Sequence, residues 1–290
     1  NSDFFKRIEE WIDRLIKTKR EKGFKGLFKS IISFIDKILN PKHTGEFPFK
    51  HFFIKKRKLI KKFTKENLNQ LDDMNIINVG NYLIKANLLN SKSIIYSFGI
   101  GENLGFEKKV AEKFKCYVHC FDPTSLAKNF MEREKYDKNL IHFQPYGIWN
   151  TDGKIKFYYQ DEVNLNNSGG SITNLFETNN YDLLECLKLS SIMKKNNHKS
   201  VDVVKLDIEG AGIKVIEDFI SENIHPNQIV VEFEYSETDK IIEEEFNKWS
   251  KKLKEIITLM KSKNYKCYNL PRYSHLPYST IEVLFVKSNF

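Results

Sequence analysis

The sequence predicts an α/β fold in which a mainly parallel sheet lies between layers of helices. Short apolar runs typical of buried strands alternate with amphipathic segments typical of helices over most of the chain. A glycine-rich turn separates the first predicted strand from the first predicted helix. The opening 75 residues differ in character, because basic amphipathic segments stand there in place of strands.

The predicted elements follow one another from residue 94 to residue 286. They are strands at 94–98, 117–121, 140–144, 154–159, 202–207, 228–234, 265–269 and 281–286, and helices at 104–114, from about 125, at 210–222 and at 240–263. Residues 164–174 are rich in amides and turn formers and include Ser168-Gly169-Gly170-Ser171. This stretch is either a disordered connection or a lid that supplies hydroxyl and amide donors to a ligand.

Length and charge indicate one main domain with an appendage. The chain has 290 residues, enough for one or two domains. Residues 1–70 contain 19 Lys and Arg against 8 Asp and Glu, whereas the rest of the chain contains 28 against 30. We therefore predict a basic helical extension over residues 1–75 and the main domain over residues 76–290.

The sequence also predicts the compartment. No apolar run approaches the ~20 residues of a membrane span, and no signal-peptide pattern is visible. The four cysteines show no metal-ligand spacing, and we expect buried, reduced thiols at Cys116, Cys120, Cys186 and Cys267. These features predict a cytoplasmic protein, with peripheral membrane association through the extension as a further option.

Two apolar stripes at helical spacing run through the basic extension, one before residue 17 and one between residues 24 and 39. The stripes pack against each other or on the main domain, or residues 1–40 lie in an anionic membrane interface. Nucleic-acid binding is a third interpretation, based on the run Lys55-Lys56-Arg57-Lys58. It is disfavoured, because the sequence has no obvious aromatic base-stacking motif.

A glycine turn and a later acid predict a site for an adenosine-containing cofactor. Gly99 and Gly101 follow the predicted strand that ends at Phe98, and they allow close approach of the backbone to a ligand. Some 20 residues later, Asp122 stands at the end of the next predicted strand, where a carboxylate can bind both hydroxyls of a ribose.

The details of the turn favour S-adenosylmethionine over NAD. A third glycine, Gly105, falls one position late for the dinucleotide pattern. Glu102 places negative charge at the mouth of the turn, which would repel a pyrophosphate but could face the ammonium group of a methionine moiety.

Five segments, in order, resemble the FkbM-type methyltransferases, a class I S-adenosylmethionine-dependent group. They are 81–84 with 93–102, Phe121-Asp122-Pro123-Thr124, 142–149 with Asp152-Gly153, 203–211, and Val230-Val231-Glu232-Phe233. The resemblance covers roughly residues 80–287. It implies a Rossmann-like class I methyltransferase fold, with a mainly parallel seven-stranded sheet between helical layers.

The resemblance also implies a set of cofactor contacts. Glu102 would contact the methionine end of the cofactor, Asp122 would contact the ribose, and the segment around Gly147 would contact the adenine. The alternative for Tyr146 is that it is an ordinary core aromatic. The full implied set is Phe98, Gly99, Ile100, Gly101, Glu102, Asp122, Pro123, Tyr146, Gly147, Ile148 and Asp207.

Methyl transfer needs an aligned acceptor oxygen and a base to take its proton. Asp207 ends a predicted strand at the sheet edge where α/β folds bind ligands, and Glu209 follows on the turn. We expect the catalytic carboxylate among Asp207, Glu209 and Glu232. The alternative role of Asp207 is to cap the next helix.

Glu232 and Glu234 lie two residues apart on one strand and so share a face. Together with Asp207 on a neighbouring strand, they could bind Mg²⁺ through oxygen ligands. Alternatively, one of the two glutamates pairs with Lys205 or Arg272.

The activity expected from the motifs and the resemblance is an S-adenosylmethionine-dependent O-methyltransferase. The family's frequent association with glycans implies a sugar hydroxyl, or another small hydroxyl acceptor. The alternatives are a non-catalytic cofactor-binding module docked to a membrane or partner, and an RNA methyltransferase. Nothing in the sequence indicates an oligomeric state.

Overall fold

The computed structural model describes residues 59–159, 170–174, 178–234, 243–269 and 280–288. Backbone contacts divide the chain into the units Asn1–Leu59 and Ile60–Phe290, and only the second is described below. The predicted amphipathic helices, the basic run at 55–58 and residues 164–169 of the polar stretch lie outside the described residues. The division of the chain at residues 75 and 76 stays a prediction.

The described residues form strands and helices in alternation. The strands are β1 (Ile76–Val79), β2 (Tyr82–Lys85), β3 (Ile94–Phe98), β4 (Tyr117–Phe121), β5 (Ile141–Gln144), β6 (Gly147–Ile148), β7 (Gly153–Tyr158), β8 (Tyr181–Leu187), β9 (Val203–Leu206), β10 (Gln228–Glu234), β11 (Tyr265–Asn269) and β12 (Thr280–Lys287). The helices are α1 (Gly105–Phe114), α2 (Ser125–Arg133), α3 (Leu189–Lys195), α4 (Gly212–Ser221) and α5 (Glu243–Ser262). Residues 60–67 are also helical.

The main sheet has seven strands in the order β11-β12-β10-β9-β3-β4-β5. Only β12 runs against its neighbours, so the other six strands share one direction. Helices α1 and α2 add apolar side chains to the core on one face of this sheet. The predicted mainly parallel, seven-stranded α/β fold is confirmed.

The central strands are buried along their whole length. All four residues of β9 are buried, and four of the five in β3. Such continuous apolar runs are typical of parallel strands covered on both faces. From β3 the chain builds the sheet in one direction through β5, and it then returns to place β9 on the other side of β3. Open α/β sheets bind ligands at the carboxyl ends of the strands where the order reverses.

Two small substructures were not predicted. One is the hairpin β1–β2, whose turn residues Gly80 and Asn81 have φ of 54° and 76°. A Cβ at Gly80 would lie 2.3 Å from the Cα of Phe106, so this turn contacts the start of α1 closely. The other is a three-stranded sheet in the order β6-β8-β7, in which β8 has a mixed, partly exposed pattern that does not resemble a buried strand.

The structure also shows the state of the cysteines and the character of the described helices. All four cysteines are buried and free of disulfide bonds. Within the described part of the chain, the structure has no helix that combines the length and apolar character needed to cross a membrane.

Gly99→Ala should destabilise the protein more than Gly101→Ala. Both glycines have left-handed φ, of 75° and 48°, so an alanine costs about 1–2 kcal/mol in strain at either position. At Gly99 the new Cβ would also lie 1.8 Å from the carbonyl oxygen of Asp207, whereas at Gly101 nothing lies within 4 Å. Urea unfolding of the two variants measures the difference. Equal losses would contradict the close contact between the β3 turn and the end of β9.

Candidate active site

An open cavity lies at the carboxyl ends of β3, β4 and β9. Its walls include the glycine turn after β3, the segment after β4 and the residues that follow β9. Phe157, Gly170 and Ile172 close it from the side of the smaller sheet. Most of the predicted cofactor contacts line this cavity: Phe98, Gly99, Ile100, Gly101, Asp122, Pro123, Gly147, Ile148 and Asp207.

Asp122 fastens the glycine turn. Its Oδ2 accepts hydrogen bonds from the backbone N–H groups of Ile100 (3.1 Å) and Gly101 (3.0 Å). Its Oδ1 accepts from the N–H (3.0 Å) and the hydroxyl (2.6 Å) of Thr124. An ionised carboxylate offers about four lone-pair positions. A ribose at Asp122 would therefore share or replace these bonds, and the predicted ribose contact stays a prediction.

Two predicted cofactor contacts do not line the cavity. The carboxylate of Glu102 forms an ion pair with Arg133 of α2. Tyr146 is 5% exposed, its hydroxyl donates to Gln144, and its ring packs against Phe121 at 5.6 Å. The structure thus places Tyr146 as a core aromatic, while the next two residues line the cavity.

The carboxylates predicted for catalysis and metal binding lie together. Oxygens of Asp207, Glu232 and Glu234 all lie within 4.8 Å of one another. Burial raises the pKa of Glu234 well above its ordinary value, and the negative charges of Glu209, Asp207 and Glu232 raise it further. The Oε2 of Glu234 accepts a 2.6 Å hydrogen bond from the N–H of Gly210. The group therefore favours a bound proton or cation.

Glu209 lines the cavity in a conformation that is rare for a residue with a side chain. Its φ is 43°, in the left-handed region. The hydroxyls of Ser171 (2.6 Å) and Thr173 (3.3 Å) both donate to the carbonyl oxygen of Glu209. Part of the predicted polar stretch thus supplies hydroxyl donors, but to the protein backbone beside the cavity.

Lys205 is a buried cation beneath the cavity. It is 3% exposed, and its Nζ donates to the carbonyl oxygen of Gly99 at 3.1 Å. Glu107 and Asp207 each place an oxygen 3.7 Å from the same nitrogen. Burial alone would lower the pKa of Lys205, but these two carboxylates raise it above its ordinary value. The described ion pairs of Lys205 are therefore with these two carboxylates, while Arg272 lies outside the described residues.

Sequence reasoning missed Tyr82, which lies on the unpredicted hairpin. Its hydroxyl donates a 2.6 Å hydrogen bond to Oδ2 of Asp207, and its ring centre lies 4.8 Å from Nζ of Lys205. Burial and the charge of Asp207 raise the pKa of Tyr82, so the hydroxyl keeps its proton. The Gly80-Asn81 turn between residues with strand propensity could have revealed the hairpin. No local signal in the sequence, however, indicates that Tyr82 contacts Asp207.

Similar folds occur among solved methyltransferases. A putative rRNA methylase from Clostridium thermocellum has 12% identity and a TM-score of 0.40, with 69% of this chain and 90% of that one covered. An rRNA methylase from Streptococcus thermophilus has 10% identity and a TM-score of 0.38, with the same coverage. A putative caffeoyl-CoA O-methyltransferase from Staphylococcus aureus has 10% identity and a TM-score of 0.35, with 94% and 98% covered. No curated protein matches the chain.

A family model provides the assignment. The Methyltransferase FkbM domain matches residues 78–267, about two thirds of the chain. The matched residues include the hairpin residue Tyr82, the glycine turn, Asp122, Asp207 after β9 and the carboxylates of β10. Family and fold together support S-adenosylmethionine as the methyl donor. The resemblance noted in the sequence is thus confirmed, and the chain belongs to the FkbM methyltransferase family.

Proposed function

We propose that this protein transfers a methyl group from S-adenosylmethionine to a hydroxyl group of a sugar in a glycan, polysaccharide or glycolipid. The observation that carries the proposal is the close contact between the cofactor turn and the acidic group. A Cβ on Gly99 would overlap the backbone of Asp207, so the two halves of the site touch.

The order of the strands orients the cofactor. Gly147 and Ile148 lie beyond β5, Asp122 follows β4, the glycine turn follows β3, and Asp207 follows β9. An adenosine whose base lies near Ile148 and whose ribose lies near Asp122 would direct its methionine part toward β3 and β9. The reactive methyl group would then lie beside Asp207 and Glu209.

The chemistry follows from this arrangement. Bound S-adenosylmethionine supplies an electrophilic methyl group and leaves as S-adenosylhomocysteine. Glu209, with Asp207 or Glu232 as the other candidates, accepts the proton of the acceptor hydroxyl while the new O–CH₃ bond forms. The strained backbone at Glu209, held by two hydroxyl groups, fits a carboxylate that must keep one orientation.

The charge of the cavity supports a neutral acceptor. Its described lining contains Asp122, Asp207 and Glu209 but no Lys, Arg or His. A phosphate or carboxylate next to the methyl group would be repelled, whereas sugar hydroxyls can donate hydrogen bonds to these acids. RNA, with its phosphates, fits this lining less well.

The proposal also includes where the enzyme works. We propose that the enzyme works in the cytoplasm, and that residues 1–40 hold it at an anionic membrane surface, where lipid-linked glycans are assembled. Support comes from the basic amphipathic stripes of the sequence.

Wild-type protein should bind S-adenosylmethionine at micromolar concentration and NAD⁺ far more weakly. Asp122→Ala removes the acceptor for two turn N–H groups and for the ribose, so its affinity should fall by roughly tenfold to a hundredfold. Calorimetric titration measures both ligands. Asp137→Ala, which removes an exposed carboxylate outside the cavity, is the matched control and should bind normally. Absence of S-adenosylmethionine binding in the wild type would contradict the proposed function.

Methyl transfer itself tests the acceptor class. Protein supplied with methyl-labelled S-adenosylmethionine should label neutral oligosaccharides in preference to polyuronates and RNA. Asp207→Asn and Glu209→Gln should lower the rate by about 10²–10⁴ if they hold or deprotonate the acceptor. Labelling of RNA instead would overturn the sugar acceptor and leave the cofactor unaffected. Binding without labelling of any acceptor would favour the non-catalytic module.

Mg²⁺ should bind the carboxylate group with release of a proton. Oxygens of Asp207, Glu232 and Glu234 lie close enough to be shared by one ion, and Mg²⁺ prefers oxygen ligands. Burial and the neighbouring negative charges raise the pKa of Glu234 well above its ordinary value, so the carboxyl group favours a bound proton, which a metal ion at this position would displace.

Calorimetry of Mg²⁺ binding in two buffers with different ionisation enthalpies measures the release of this proton. Wild-type protein should give different apparent enthalpies, and Glu234→Gln should give equal ones. No heat at millimolar Mg²⁺ would contradict a metal at this position.

A further inference from the structure

Lys205 and Asp207 lie on the same face of the sheet at the end of β9, yet they do not form a direct hydrogen bond. Their charged atoms are 3.7 Å apart, whereas ammonium–carboxylate hydrogen bonds measure about 2.7–2.9 Å. Lys205 instead donates to the carbonyl oxygen of Gly99. The two groups therefore form an ion pair without a direct hydrogen bond.

Tyr82 contacts both the carboxylate and the ammonium group. Its hydroxyl binds Oδ2 of Asp207, the oxygen that faces Lys205, and its ring presents its face to the ammonium group. An O–H···O⁻ bond of 2.6 Å is short and charge-assisted. Tyr82 therefore contacts both members of the ion pair.

The hairpin that carries Tyr82 is fixed by independent contacts. Its turn has no room to move toward α1, because even a Cβ at Gly80 would overlap the backbone of Phe106. Its other end is bound to β10, where Gln228 accepts from the N–H of Lys85 (2.7 Å) and donates to its carbonyl oxygen (3.1 Å). Gln228 is fully buried. The position of the Tyr82 hydroxyl is thus set by the fold and does not depend on Asp207.

We propose that Tyr82 is a positioning residue whose hydrogen bond to Oδ2 stops the ion pair of Asp207 and Lys205 from closing to a direct hydrogen bond, and so keeps the negative charge of Asp207 directed at the methyl end of the cofactor. Both described contacts of the carboxylate fall on Oδ2, which leaves Oδ1 for the cavity that Asp207 lines. The inference rests on the proposed function, because it assumes that the methyl group lies beside Asp207. Its consequence is a preference for the positively charged sulfonium of S-adenosylmethionine over the neutral thioether of S-adenosylhomocysteine.

The test compares the affinities of these two ligands, and it needs no acceptor. Calorimetry gives both dissociation constants for wild type, Tyr82→Phe, Asp207→Asn and the double variant. Wild type should prefer S-adenosylmethionine. Tyr82→Phe keeps the ring over Lys205 but removes the hydrogen bond to Asp207, which can then form a direct hydrogen bond with Lys205, so the preference should fall by about fivefold, toward that of Asp207→Asn. In the Asp207→Asn background, Tyr82→Phe should have no further effect.

Tyr96→Phe is the matched control. It also removes a buried tyrosine hydroxyl, one that hydrogen-bonds to His198 at 2.7 Å, but Tyr96 lines no part of the cavity. It should leave the ligand preference unchanged even where the melting temperature falls. The inference would be overturned if Tyr82→Phe left the ligand preference unchanged. It would also be overturned if Tyr82→Phe lowered the preference equally in the wild-type and the Asp207→Asn backgrounds. Wild-type protein that binds neither ligand would instead contradict the proposed function on which the inference rests.

Discussion

The buried ammonium group of Lys205 is the constraint on which the site depends. A charge that is 3% exposed must be compensated locally, because removal from water costs several kcal/mol. Its partners come from three different elements: the carbonyl oxygen of Gly99 after β3, Glu107 of α1 and Asp207 after β9. The requirement to compensate one charge therefore fixes the cofactor turn, the helix that follows it and the acceptor carboxylate relative to one another.

The carboxylates around Lys205 outnumber it, and this excess gives the site its chemical character. The hydroxyl of Ser97 on β3 also donates a 2.5 Å hydrogen bond to Glu107, which fixes the position of this carboxylate. Toward the cavity, the negative charges of Glu209, Asp207 and Glu232 act on Glu234 and raise its pKa. The site thus has one buried positive charge below it and several negative charges next to the cavity. This distribution of charge suits a positively charged methyl donor.

The fold could be predicted from the sequence because it is specified by local patterns. Buried strands such as β3 and β9 are continuous apolar runs, and the spacing from Gly99 to Asp122 places turn and acid at adjacent strand ends. The sequence could not show contacts with partners that lie far along the chain. Glu102 pairs with Arg133, a residue 31 positions later, so its charge is not directed at the cavity. Tyr82 could not be predicted as a site residue, because its hydrogen bond joins it to a residue 125 positions away.

The hairpin has a consequence for folding during synthesis. It is made early, but its anchor Gln228 follows Lys85 by 143 residues. At a translation rate of about 5–20 residues per second, the hairpin waits roughly 7–29 s on the ribosome for that anchor. During this interval Leu83 and Ile84, which end up 6% and 0% exposed, lack their final covering. The segment that completes the site therefore exposes apolar side chains while the chain is still being made.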